Sequence, residues 1–304
     1  MKLINDIKKD LNFKNNFKIV STLIITFFIC DFILGIGIEK GLEKYYGLNT
    51  TAEIALVGHS HLMLGINKVK VEESLNVKVS KYTREGVNIS DRQIMIDQLL
   101  RKNNSIKTII YGVDAWSFTG EGLSANSYTL FYPFLADANV NAYVKKKSSF
   151  TEYWLHKLIK TTRFNEGLIS SSIRGYLSNW SNLKFGEVDT IRLKEEIKVG
   201  KFRKINTKIE NIEILRESIK VLGLKNIQII LLYVPTIDLY NTAEISKFNE
   251  SITIFENLEK EFKHVKYISF LEPWSHQYSI FHDPIHLNPK GQDLITLELI
   301  KKIK

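Results

Sequence analysis

The segment from Ile19 to Ile38 restricts the fold more than any other part of this chain. It reads IVSTLIITFFICDFILGIGI, twenty residues with one formal charge, at Asp31. An α-helix of that length rises about 30 Å, the thickness of the hydrocarbon core of a bilayer. A signal peptide would have a shorter apolar region followed by a small-residue cleavage site. A buried core helix, the alternative, would show a polar face. We therefore predict an uncleaved transmembrane helix over 19–38.

Lysines on the amino side of this helix predict its orientation. Residues 1–18 carry five lysines and two aspartates, a net charge of +3, whereas the residues that follow the helix alternate in sign. Because basic excess stays in the cytoplasm, we predict a cytoplasmic tail over 1–18 and an extracytoplasmic domain over 39–304 of a single-pass cell-membrane protein. Asp31 is costly inside the span. It faces a partner helix or polar cavity, or it lies near the outer interface.

Charge and cysteine content exclude several classes of site and partner. The 304 residues carry a net charge of +9 and a single cysteine, Cys30, which falls within the predicted span. One cysteine excludes an intrachain disulfide and a cysteine-clustered zinc site. The basic balance is typical of proteins that meet nucleic acid or an anionic envelope polymer, or it reflects only genome composition. The lysines are scattered and the domain is predicted outside the cell, so we expect no nucleic-acid partner.

Beyond the predicted anchor, strand and helix patterns alternate along the chain. Short β-branched runs predict strands, and near-helical spacing of apolar residues predicts helices, the first with Ser90 or Asp91 as its N-cap. The predicted strands are Ala52–Val57, Val77–Tyr82, Thr108–Val113, Ile227–Val234 and Val265–Ser269, and the predicted helices are 90–102, 206–222, 245–263 and one that begins at Pro289. This order predicts an α/β fold, a three-layer sandwich with a mostly parallel central sheet.

Residues from about 118 to 205 fit this alternation poorly. They are rich in aromatic residues among lysines and serines, and they separate the third predicted strand from the fourth. We interpret them as a partly helical insertion. Two roles stay open for it: a lid or substrate-facing surface, or an added packing subdomain with no direct role.

Candidate chemistry lies where predicted strands end, which is where open α/β sheets bind ligands. Gly58-His59-Ser60-His61 follows the first strand, and Gly86 lies just past the second. A serine at the start of the next helix can be exposed, and its own N–H can donate to a developing oxyanion. Near the C-terminus, Asp283 precedes His286 by three residues. The carboxylate can turn back onto Nδ1–H and leave Nε2 to take the proton of a serine.

Together these blocks resemble the SGNH (GDSL-type) hydrolase superfamily. The similarity spans residues 52–118 and 225–303, and Asp283-Pro-Ile-His286-Leu-Asn-x-x-Gly291 is its more specific part. The resemblance implies that Ser60 is the nucleophile, His286 the general base and Asp283 its orienting acid. The amides of Ser60 and Gly86 would form the oxyanion hole.

The chain departs from the family pattern in two blocks. The first block, usually Gly-Asp-Ser, here reads Gly58-His59-Ser60-His61. The third usually brings an oxyanion-stabilising asparagine, but Asp114 stands at that position and would repel an oxyanion unless it were protonated or turned away. Asn88 is the candidate for a substitute donor. We expect His61, with His59 and Asp114, to line the pocket. The spacing of the histidines fits no zinc motif, so we expect no metal and no cofactor.

Anchored, outward-facing proteins with these altered blocks are similar to envelope polysaccharide acylation factors, such as the teichoic acid D-alanyl transfer protein and O-acetyltransferase subunits. The resemblance implies a membrane-bound O-acyltransferase as acyl-donor partner and a glycan or envelope polymer as acceptor. We therefore predict a serine acyltransferase that moves an acyl group, acetyl in the first instance, through an acyl-serine. The alternatives are an esterase or deacetylase with the same triad, and a non-catalytic scaffold in which Ser60 is only an N-cap.

Overall fold

A computed structural model describes residues 2–119 and 126–304, with side chains from residue 16 onward. The side chains of the predicted tail before residue 16 lie outside the described part of the chain, and so do residues 120–125 of the predicted insertion. The predicted three-layer α/β sandwich is confirmed. Five parallel strands form the central sheet in the order β2-β1-β3-β4-β5.

The central strands match the predicted apolar runs to within two residues at each end. They are β1 Ile54–Gly58, β2 Val79–Thr83, β3 Thr108–Val113, β4 Gln228–Tyr233 and β5 Val265–Ser269. A short antiparallel pair, β6 Phe281–Asp283 and β7 His286–Leu287, lies near the C-terminus.

Twelve α-helices lie in the described ranges. They are α1 Lys2–Tyr46, α2 Ser60–Gly65, α3 Lys68–Leu75, α4 Ile89–Lys102, α5 Ala138–Lys147, α6 Phe150–Leu158, α7 Glu166–Tyr176, α8 Thr190–Lys198, α9 Ile209–Leu224, α10 Asp238–Asn241, α11 Ile245–Glu261 and α12 Pro289–Ile303. Five 3₁₀ turns accompany them, at Ser127–Phe134, Thr161–Arg163, Thr242–Glu244, Trp274–His276 and Tyr278–Ile280.

The sheet separates two hydrophobic cores, because successive strand side chains point to opposite faces. In β1, Ala55 and Val57 pack on one side, where α4, α9 and α11 contribute side chains. Leu56 packs on the other side with residues of α2, α3 and α12. Strands that are buried on both faces explain the nearly continuous apolar runs of the sequence.

The first helix differs from its prediction. It does not end at Ile38 but continues to Tyr46, and its last turns pack on the domain. By length and composition, Asn16–Tyr46 is the one helix among the described residues that could cross a membrane. Most side chains from Phe17 to Leu34 are exposed, whereas Leu42, Tyr45 and Tyr46 are buried. The exposed apolar stretch is therefore shorter than the predicted span and ends earlier.

Contacts with α7 fix the end of α1 to the domain. Ser172 Oγ donates to the Ile38 carbonyl and Tyr176 OH to the Gly37 carbonyl, each at 2.8 Å. A Cβ added to Gly175 would lie 2.0 Å from the carbonyl oxygen of Gly41, so the two backbones approach as only glycine permits. The end of α1 and the domain are thus tightly packed together.

Asp31 has a partner within the same chain. Its carboxylate accepts hydrogen bonds from the backbone N–H groups of Lys160 (2.7 Å) and Thr161 (2.8 Å) and from Thr161 Oγ1 (2.5 Å). It therefore caps the turn that follows α6, a contact that neither of the sequence interpretations included.

Candidate active site

Ser60 begins α2, directly after the carboxyl end of β1. Gly58 ends β1, and its φ is not positive, unlike those of Gly47, Gly86, Gly186 and Gly200. Glycine is needed here because a side chain would not fit easily: a Cβ would lie 3.1 Å from Leu62 Cδ2 and 3.3 Å from the Gly112 Cα. The missing side chain lets α2 pack closely over the ends of β1 and β3, which sets the position of Ser60.

The structure brings together the three side chains of the predicted triad. His286 Nε2 lies 2.8 Å from Ser60 Oγ, and His286 Nδ1 lies 2.8 Å from Asp283 Oδ2. The other oxygen of Asp283 accepts the backbone N–H groups of Ile285 (3.0 Å) and His286 (2.9 Å). The β6–β7 turn thus holds the carboxylate against the imidazole, and Nε2 is left to take the serine proton.

Asp283 is held in its ionised form. Burial alone would raise its pKa, but the hydrogen bond and charge of His286 and the two backbone N–H groups outweigh burial and lower it. An ionised carboxylate fixes the tautomer with hydrogen on Nδ1 and stabilises the imidazolium that forms during catalysis.

A cavity of about 110 Å³ adjoins Ser60. The residues that line it follow the carboxyl ends of β1, β2 and β3, with Arg203 added from the insertion: His59, Ser60, His61, Gly86, Val87, Asn88, Arg92, Asp114, Trp116, Ser117 and Arg203. Gly86 has a φ of +76°, a conformation that favours glycine. Both residues whose amides were assigned to the oxyanion hole therefore border the same cavity.

Asn88 lines the cavity, but its side chain caps the start of helix α4. Its Oδ1 accepts the N–H of Asp91 at 2.9 Å, and Asp91 Oδ2 accepts the N–H of Asn88 at 2.8 Å, a reciprocal capping box at the start of α4. Asn88, rather than Ser90 or Asp91, is therefore the N-cap of α4. Its Nδ2 lies 3.4 Å from Ser127 Oγ, so its amide is already engaged on both sides.

Asp114 faces two histidines. Its Oδ2 lies 2.8 Å from His59 Nε2 and 3.2 Å from His61 Nδ1, and its Oδ1 accepts the Trp116 N–H at 2.9 Å. Burial would raise the pKa of Asp114, but His59, His61 and Arg203 hold it well below its usual range. Asp114 is therefore ionised, and it is turned toward neighbours that offset its charge.

The two histidines are held neutral. Burial lowers the pKa of His59, and lowers that of His61 well below its ordinary value, against the opposing attraction of Asp114. The His61 ring also stands edge-on to the His286 ring, with centroids 5.3 Å apart. His61 thus packs directly behind His286, the predicted general base.

His59, His61 and Asp114 also have the composition of a metal site, with one ligand atom from each within a 4.8 Å span. The backbone N–H of His61 donates to His59 Nδ1 at 3.2 Å, so the proton of the neutral ring lies on Nε2, which faces Asp114. A metal ligand must be deprotonated at the ligating atom. Arg92 and Arg203 also add positive charge beside His59. This positive charge is unfavourable for a cation, although His59 Nε2 and His61 Nδ1 lie close to Asp114 without forming a hydrogen bond among the described residues.

Sequence reasoning missed two arginines of the cavity. Arg92 Nη1 donates to the Gly112 carbonyl at 2.8 Å, and its Nε lies 3.3 Å from the Asn88 carbonyl. The Arg203 guanidinium lies 5.6 Å from the Trp116 ring centroid, and its Nε has no hydrogen-bond partner among the described residues. The helical spacing of Arg92 could have suggested its place, but Arg203 is far along the chain and no local pattern identifies it.

No protein-family model and no curated protein matches the chain. Solved structures resemble it at low identity. A protein provisionally described as a platelet activating factor from Streptococcus pneumonia is 12% identical, with 94% of this chain and 99% of that one covered and a TM-score of 0.45. A GDSL-like lipase from Bacteroides thetaiotaomicron VPI-5482 is 7% identical, with 83% and 88% covered and a TM-score of 0.40. Likenesses of this degree do not identify an activity.

Proposed function

We propose that this protein is a membrane-anchored SGNH-type serine O-acyltransferase that moves an acetyl group through an acyl-serine to a hydroxyl of a cell-envelope polysaccharide. The observation that carries the proposal is the unbroken chain from Ser60 Oγ through His286 to Asp283, with two contacts of 2.8 Å. A serine that is only a helix cap has no need of a histidine whose other nitrogen is bound by a carboxylate.

The triad supports a two-step transfer. Ser60 Oγ attacks the carbonyl carbon of the acyl donor while His286 Nε2 takes its proton, and the amides of Ser60 and Gly86 stabilise the oxyanion. His286 then returns the proton to the leaving oxygen as the bond to the donor breaks. An acceptor hydroxyl gives its proton to Nε2 and attacks the acyl-serine, and His286 reprotonates Ser60 as the acyl group leaves.

The size and lining of the cavity support a short acyl group. The cavity beside Ser60 is small, about 110 Å³, which favours a short acyl group over a long one. Most of its lining residues are polar or charged, which is unfavourable for a fatty acyl chain. An acetyl group fits both properties.

The membrane placement is part of the proposal. The exposed apolar stretch of α1 and the lysine excess before it support a cytoplasmic N-terminus and a catalytic domain outside the cell membrane. A membrane-bound O-acyltransferase would then supply the acyl group. A reporter fused after Lys304 tests the orientation: one that is active only in the cytoplasm would contradict it.

An esterase with the same triad is the second candidate, because water can replace the sugar hydroxyl in the second step. Full-length protein in detergent, given p-nitrophenyl acetate with and without an oligosaccharide acceptor, separates the two. Transfer predicts acetylated oligosaccharide and faster release of p-nitrophenol when the acceptor is present. An unchanged rate with acetate as the product would favour the esterase. No release by the wild type, beyond that of Ser60→Ala, would favour the scaffold.

A further inference from the structure

Helix α6 exposes an apolar face that the domain does not cover. Phe150, Trp154, Leu155 and Leu158 are exposed to 80%, 42%, 47% and 65%. Their spacing places them on one side of the helix, while Tyr153 is buried on another. Helices of globular domains normally turn such a face toward the core.

This face adjoins the exposed apolar surface of α1. Leu158 and the aliphatic part of Lys157 line a groove together with Ile25, Phe28 and Ile29 of the anchor. The groove ends at Asp31, where the three hydrogen bonds to residues 160–161 attach the turn after α6 to α1. The apolar side of α6 therefore lies beside the part of the chain proposed to be in lipid.

Basic side chains lie near the same groove. Lys160 lines it and is paired with Glu39, whereas the exposed Lys145 and Lys146, which end the preceding helix α5, form the basic border. An apolar helix face with a basic border is the pattern of helices that lie in the headgroup region of anionic membranes. Tryptophan, here Trp154, is enriched at the same depth.

We propose that α6 is an interfacial helix, which inserts Phe150, Trp154, Leu155 and Leu158 into the outer headgroup region of the membrane that α1 spans, with the exposed Lys145 and Lys146 facing anionic lipid headgroups. This inference rests on the proposed membrane anchoring but not on the proposed chemistry. Together with the α1–α7 contacts, it gives the catalytic domain a second attachment and so one orientation on the membrane.

Site-specific fluorescence in vesicles tests this proposal. Full-length protein in phosphatidylglycerol–phosphatidylcholine vesicles carries the environment-sensitive NBD label at one cysteine, and lipids with a doxyl group quench the labels that touch lipid. The native Cys30, which is exposed on α1, reports the anchor. Leu155→Cys in a Cys30→Ser background reports α6. Ile191→Cys in the same background is the matched control, since Ile191 is an exposed apolar residue of α8, 75% accessible.

We expect blue-shifted emission and strong quenching at positions 30 and 155, and water-like emission without quenching at 191. We also expect weaker quenching at 155 in vesicles of phosphatidylcholine alone. Quenching at 30 without quenching at 155 would overturn the interfacial helix, leave the anchor intact and assign this face to a protein partner. No quenching at 30 would overturn the anchoring itself. Equal quenching at 155 in both kinds of vesicle would overturn the role of the basic border.

Discussion

The buried lysine beneath α2 makes the stability of the fold depend on pH. Lys81 lies in β2, and its Nζ donates to the carbonyls of Met63 (2.8 Å) and Ile66 (2.6 Å) at the end of the helix that begins with Ser60. A neutral amine has two hydrogens, one for each carbonyl. The charges that act on it, those of Lys68 and Arg174, are also positive. Burial, followed by these charges, lowers the pKa of Lys81 from 10.5 to about 7.

The sign and size of the effect follow from linkage. Between about pH 7 and pH 10.5 the unfolded chain holds a proton that the folded chain lacks, so the free energy of unfolding rises with pH. The full pKa shift of Lys81 corresponds to about 5 kcal/mol in the free energy of unfolding. This contribution is complete above the unfolded pKa of 10.5 and is lost as the pH falls through the folded pKa of about 7. Between pH 7 and pH 9 we expect a rise of about 2 kcal/mol.

Denaturant unfolding of the detergent-solubilised protein, followed by circular dichroism at several pH values, measures this rise. Lys81→Met removes the titrating group and should flatten the pH dependence. It also leaves the Met63 and Ile66 carbonyls without a donor, at a cost of about 1–3 kcal/mol that does not vary with pH. Lys70→Met, at a partly exposed lysine paired with Asp293, is the control and should keep the wild-type slope. A wild-type free energy of unfolding that is flat from pH 7 to 9 would refute the reasoning.

Substitutions at three residues test the triad and the cavity. Asp283→Asn should lower p-nitrophenyl acetate turnover about 10⁴-fold, because the amide no longer fixes the His286 tautomer; a loss below tenfold would argue against the triad. Arg203→Ala should lower kcat/KM about tenfold by removing positive charge from the cavity, and Arg203→Lys should recover part of it; equal rates in both variants would contradict an electrostatic role. Asp114→Ala should lower the free energy of unfolding by about 1–3 kcal/mol, because the buried Trp116 N–H and Ser117 hydroxyl lose their acceptor, and Asp114→Asn by less, as denaturant curves can show.

The strands and the triad could be predicted because their signals are local. A strand buried on both faces is a run of apolar residues, and β3 and β5 coincide with their predicted ranges. Asp283 and His286 lie three residues apart, so their contact needs only a turn. Their meeting with Ser60 is long-range, and the family resemblance implied it, because Asp283 and His286 lie on the separate β6–β7 pair and not at the end of a central strand.

What could not be predicted depends on contacts between distant segments. Asn88, Ser90 and Asp91 are all good caps, and the choice of Asn88 depends on the reciprocal bond with Asp91. Asp31 finds its partners 129 and 130 residues away. Arg203 reaches the cavity from the end of the insertion, a position that no periodicity marks.

The end of α1 and the electrostatics of Asp114 also depend on contacts with residues that are distant in the sequence. Residues after Ile38 carry charges, which suggested the end of a span, but buried residues between them form a face that packs on α7. Asp114 was expected to repel an oxyanion unless it was protonated or turned away, and the choice between these outcomes depends on neighbours that the sequence did not show. The structure surrounds it with His59, His61 and Arg203, which change the electrostatics of the position.

Trapping the acyl-enzyme tests the central claim, that Ser60 is an activated nucleophile. Full-length protein is incubated briefly with p-nitrophenyl acetate, quenched in acid and digested, and the peptide that contains Ser60 is analysed by mass spectrometry. The proposal predicts an acetyl group on Ser60 in the wild type, none at this position in Ser60→Ala, and greatly slowed labelling in His286→Ala. An unacetylated Ser60 in a wild type that releases p-nitrophenol, or equal labelling in the His286 variant, would contradict it.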